Sequence, residues 1–95
     1  MAKLITYDLC RPGTNYQKLE NYIVRTFPNR YKVNESCWLV SGCSLTCQQI
    51  QTALWNLTDA NDKIFVASLT GESAWKILPV NNQTTNLIKA ILHYD

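Results

Sequence analysis

The chain has 95 residues, and nine Lys and Arg against seven Asp and Glu leave a net charge of +2. That excess is too small to argue for a nucleic-acid binder by itself, and the length suits one domain. An apolar fraction of 46%, with three Trp and five Tyr, is that of a chain with a core to fill. No apolar run approaches the roughly 20 residues of a bilayer span, and no charged-then-apolar leader opens the sequence, so the expectation is a cytoplasmic protein without a membrane partner.

The first predicted strand covers residues 3–9 and delivers Asp8 to its end, where Arg11-Pro12-Gly13 forces a turn. Thr14-x-x-Gln17 then reads as a capping box for a helix over residues 15–27, with Leu19, Ile23 and Phe27 recurring every four residues. Pro28-Asn29 stops it. Residues 30–34 are short and polar, which suits an edge strand, whereas Cys37-Trp38-Leu39-Val40 within residues 36–41 has the unbroken apolar run of a central one. Thr46-x-x-Gln49 is a second capping box, with Leu45 placed to staple onto Ile50, and its helix is expected over residues 47–57. After the turn formers Asp59, Asn61 and Asp62, a fourth strand is predicted over residues 63–70. Residues 73–78 read as a short fifth strand halted by Pro79, and residues 84–92 as a last helix.

The order β-α-β-β-α-β predicts an α+β, ferredoxin-like sandwich in one domain, residues 1–95, with the first and third strands central and two helices on one face. The strands are apolar on both sides: Leu4 against Ile5, Trp38 and Val40 against Leu39, Val66 against Phe65 and Leu69. Two helices bury only one face, so something must cover the other. A homodimer formed across that face is the preferred expectation over folding back of the last helix, and a combination of the two stays open, with the fifth strand crossing to extend the partner's sheet.

Tyr7-Asp8-Leu9 before Pro12-Gly13, Tyr16 opening a helix, Glu35-Ser36-Cys37-Trp38-Leu39-Val40, Asn61-Asp62 and Thr70-Gly71-Glu72-Ser73-Ala74-Trp75 together resemble the small bacterial SinR-like proteins. Those are related to the VapD toxins and to the CRISPR-associated spacer-acquisition endoribonucleases. The likeness to the SinR-like group covers nearly the whole chain; to the others it covers the first strand, its Asp and the topology. The resemblance implies a ferredoxin-like homodimer in which Asp8 approaches its two-fold mate, the pair holding Mg²⁺ or Mn²⁺ at the dimer axis for phosphodiester cleavage. Hard carboxylate oxygens suit such an ion, which could activate water. The basic run that follows the strand-end Asp in the nuclease relatives is reduced here to Arg11, and of the aromatic residues near Arg30-Tyr31 only Tyr31 is kept.

Two readings of function follow. The favoured one is a small homodimeric module of this superfamily that associates with RNA, DNA or a protein partner, or regulates, without strong catalysis. The alternative is a divalent-metal-dependent endoribonuclease with Asp8 of both subunits as catalytic and metal-binding residue, and with Arg11, Arg25 and Arg30 contacting phosphates. Against the metal role, Asp8 also reads as the cap of the turn that follows it. Trp38, Trp55 and Trp75 read as packing residues before base-stacking ones. Cys10, Cys37, Cys43 and Cys47 lack zinc-ribbon spacing and read as small, partly buried thiols.

Overall fold

The structure, a computed structural model, describes residues 1–10, 14–77 and 81–93. Its elements are β1 (Lys3–Asp8), α1 (Thr14–Thr26), β2 (Asn29–Asn34), β3 (Cys37–Ser41), α2 (Cys47–Trp55), β4 (Lys63–Ser68) and α3 (Asn82–Leu92). The four strands form one antiparallel sheet in the order β2-β3-β1-β4. Of the three strands with apolar residues on both sides, β1 and β3 are central and β4 is at one edge, with polar β2 at the other. This small α+β arrangement is compatible with the expected sandwich.

Register assigns the faces. Ile5 lies opposite Trp38 and Val66, and by alternation Tyr7 and Val40 share their side. That side packs on Leu19, Ile23 and Phe27 of α1 and Ile50 and Leu54 of α2, forming the main core. The stripe read every four residues is the buried face of α1. Lys32 of β2 bonds Glu20 of α1 at 2.6 Å and lies 6.0 Å from the Trp38 ring, which closes the rim of this core.

At the N-terminus of α2 the capping box forms as predicted. Thr46 accepts from the Gln49 amide at 3.1 Å, and the Gln49 side chain accepts from the Thr46 amide at 2.9 Å. Leu45 packs against the core cluster that contains Ile50. The helix ends at Trp55, two residues before the expected boundary, where Thr58 turns its hydroxyl onto the Leu54 and Trp55 carbonyls. Gly42 has φ +89, and a Cβ there would stand 2.7 Å from Pro28 Cγ. Glycine thus lets the exit of β3 pass close to the α1–β2 turn.

Three expectations are corrected. Residues 73–77 form no strand: this stretch pairs with neither sheet edge, and Trp75 within it is 37% exposed. A strand needs a ladder partner as well as an apolar pattern, and within one chain the segment bridges β4 to α3 instead. The last helix begins at Asn82, earlier than read, because Asn81 is its N-cap and accepts from the Thr84 amide at 2.7 Å. Finally, α3 folds back over β2 and β3 of its own chain, so this part of the second face needs no partner. Leu39, Ile88 and Ile91 form a smaller core there, with Tyr31, Leu69, Ile77 and Leu92 against it.

Cover by α3 is incomplete. Thr6 lies opposite both Cys37 and Phe65, and Asp8 lies opposite Lys63, all on the α3 side of the sheet. Phe65 is 61% exposed, and Asp8 and Lys63 are exposed beside it. Half of this face is covered by α3; on the other half Phe65, Asp8 and Lys63 are exposed while Thr6 and Cys37 are half-buried.

Candidate functional site

Asp8 is the last residue of β1, its carboxylate exposed on the bare half of the sheet. It makes no hydrogen bond or ion pair with any described residue. An open trough of about 430 Å³ runs past it, lined by Thr6, Tyr7, Asp8, Ser36, Lys63 and Phe65, with Ile64 behind. The trough thus offers an acid, a base, two hydroxyls and an aromatic ring on rigid strands, an arrangement suited to docking a polar-rimmed apolar surface.

The position of Asp8 is set from beneath. Tyr7 faces the core, where its ring lies 5.8 Å from that of Tyr16 and its hydroxyl accepts from the Trp38 indole at 3.1 Å. Burial holds the Tyr7 phenol above its ordinary value, partly offset by the Trp38 hydrogen bond. The Tyr7 amide donates to the Ser36 carbonyl at 3.0 Å.

A second carboxylate fixes the chain just after Asp8. One oxygen of Asp62 accepts from the Cys10 amide at 2.8 Å and the other from the Asp59 amide at 2.7 Å. The Cys10 thiol donates to the Asn61 carbonyl at 3.2 Å. Asp59 and Asp62 were legible as turn formers, but the tie to Cys10 across 52 residues had no local signal. It joins the exit of β1 to the entry of β4 and so holds Asp8 and Lys63 side by side. Capping of the 11–13 turn by Asp8 itself, the capping box at Thr14, and the place of Arg11 lie outside the described residues.

Arg25 and Arg30 are elsewhere. Arg30 lies opposite Val40, which lies opposite Lys3 at the start of β1. Five residues along a strand and two strand spacings across separate it from Asp8 by about 19 Å. Its guanidinium donates to the Phe27 carbonyl at 3.0 Å, tying the α1–β2 turn. Arg25 is in the last turn of α1, at that same distant end, exposed and bonded through Nε to the Asn21 carbonyl at 3.3 Å. With Lys18, Asn21, Val24 and Leu57 it lines a shallow trough of about 500 Å³. One copy of the chain therefore brings neither Arg25 nor Arg30 to Asp8.

Among the described residues no group of three or more His, Cys, Asp or Glu is placed to hold a metal ion. Cys37 lies on the bare half-face with its thiol pushed up by burial. Trp38 packs as expected. Trp55 does not: at 62% exposure it stands out from α2 beside Gln51, Asp59 and Ile64. No described helix is long and apolar enough to cross a membrane.

Together these features define a small α+β protein with one sheet face partly bare and a polar rim at Asp8. No family model matches the chain, and no curated protein is significantly similar to it.

Proposed function

We propose that this chain is a ferredoxin-like homodimeric module of the SinR-like and CRISPR-associated superfamily, acting by binding nucleic acid or a regulatory partner, without strong catalysis. The observation that carries the reading is the separation of its groups. The exposed cations Lys18 and Arg25 lie along the outside of α1, on the opposite side of the sheet from the Asp8 carboxylate, and Arg25 is also at the distant end. Lys18 and Arg25 are seven residues apart, about 10 Å along the helix, a spacing that suits contact with a phosphate backbone. The partly bare sheet supports self-association, as does the β4 edge, which is in regular register over six residue pairs and carries one charge. Such an edge accepts another strand, and residues 73–77 of a partner have the apolar pattern for it.

The test is binding of single-stranded RNA at two salt concentrations. Lys18→Ala with Arg25→Ala should weaken binding and flatten its salt dependence by about two counterions. An affinity unchanged by both substitutions would remove the α1 surface from the reading.

The exposed Asp8 carboxylate supports the second reading, a Mg²⁺- or Mn²⁺-dependent endoribonuclease with Asp8 of both copies at the axis. It requires that Asp8→Asn abolish metal-dependent cleavage while leaving the dimer intact. Cleavage that survives the change would end it.

A further inference from the structure

We propose that the bare half of the sheet is a self-complementary interface for a second copy of this chain, in which each Asp8 faces Lys63 of the partner subunit. The inference deepens the homodimer reading above and rests on it. Its ground is the pattern on the exposed half-face. Thr6, Cys37 and Phe65 form one cross-strand row, Phe65 being 61% exposed. The next row outward, Asp8 opposite Lys63, places one acid and one base side by side at the rim.

A two-fold interface uses the same patch on both copies, so that patch must complement itself. A row led by the exposed Phe65 ring, with one charge of each sign beyond it, meets the requirement. Rotated onto its mate, Phe65 packs near Phe65, and each carboxylate comes to an ammonium. The opposite arrangement, Asp8 on Asp8, would bring like charges together at the rim and leave Lys63 unmatched, which costs affinity unless an ion intervenes. Neither side chain has a partner among the described residues of its own chain, so both are free to bond across the interface. Asp62, by holding Cys10 beside the entry of β4, fixes the spacing of the two charges.

The experiment is charge reversal with mixing, read by sedimentation velocity on the full chain. Asp8→Lys alone and Lys63→Asp alone should each weaken self-association at least tenfold, since each variant sets like charges against one another in its own homodimer. An equimolar mixture of the two variants should recover an association within a few-fold of the unaltered protein. In the mixed dimer every acid again faces a base, whereas within each chain positions 8 and 63 still carry like charges. Recovery in the mixture therefore reports contact between copies and excludes a merely structural effect within one copy.

If both variants associate as the unaltered protein does, or if mixing restores nothing, the Asp8–Lys63 interface is overturned while a dimer formed elsewhere survives. If the unaltered protein is monomeric at every concentration, the homodimer reading itself has failed. Far-ultraviolet circular dichroism of each variant identifies loss of fold. Should either reversal unfold the chain, Phe65→Lys serves as the second probe: an unchanged dimer overturns the interface, and dissociation supports it.

Discussion

The Trp38 indole nitrogen donates to the Tyr7 hydroxyl at 3.1 Å inside the main core, linking the two central strands through side chains as well as backbone. Tyr7 is adjacent to Asp8, so this buried bond fixes the strand end that presents the carboxylate. Tyr7→Phe would strand the indole N–H and is expected to cost about 1–3 kcal/mol in urea unfolding. Cost near zero would show that the indole finds another acceptor.

The same phenol sets an alkaline limit. Burial raises its folded value above the ordinary one near 10, so the folded state retains a proton that the unfolded chain releases. The contribution is fully present below pH 10 and is lost as pH rises toward the folded value, because the unfolded state there binds fewer protons. Stability measured from pH 9 to 11 should fall in the parent protein and fall less in Tyr7→Phe. Identical profiles would contradict this assignment.

Asp62 ties two backbone amides from separate segments. Asp62→Ala should cost about 1–2 kcal/mol, at the low end for charged hydrogen bonds because the turn is partly solvated. The amides of Cys10 and Asp59 should then exchange with solvent faster, while those of β3 should not.

Thr46→Ala removes half of the α2 capping box and is expected to cost about 1 kcal/mol in thermal or urea unfolding. Thr46→Asp keeps an acceptor in place and should retain most of that stability.

Ser41 is expected to behave in the opposite sense. Its hydroxyl is buried without a partner on the α3 side of the sheet, across from Asn29, whose amide nitrogen is likewise unpaired. Ser41→Ala removes an unsatisfied group at little loss of packing, so unfolding should show no loss, or a gain of up to about 1 kcal/mol. A loss greater than 1 kcal/mol would mean that the hydroxyl is bonded in solution.

The strands and first two helices were legible because their signals are local. Residues such as Leu19, Ile23 and Phe27 repeat at helical spacing, and Thr46-x-x-Gln49 satisfies its own helix end. Apolar residues on both sides of β1 and β3 also announced a second covered face. That α3 covers the part of it over β2 and β3 has no local signal, since it depends on where the 13-residue connection from β4 to α3 travels. Trp75 reads as packing from its apolar segment and Trp55 from its place at the flank of the Leu54 stripe, yet their exposure is decided by how the elements around them pack. The site divides the same way. Asp8 was visible as a strand-end carboxylate, whereas its nearness to Lys63 and its distance from Arg25 and Arg30 follow from register, which no single segment encodes.

Sedimentation velocity of the unaltered protein and of Phe65→Asp, over nanomolar to tens of micromolar concentration, tests the central claim most directly. The account predicts a species of twice 10.9 kDa at micromolar concentration that reverts to 10.9 kDa in the variant. A 10.9 kDa species throughout for the unaltered protein, or a dimer indifferent to the change at Phe65, would contradict it.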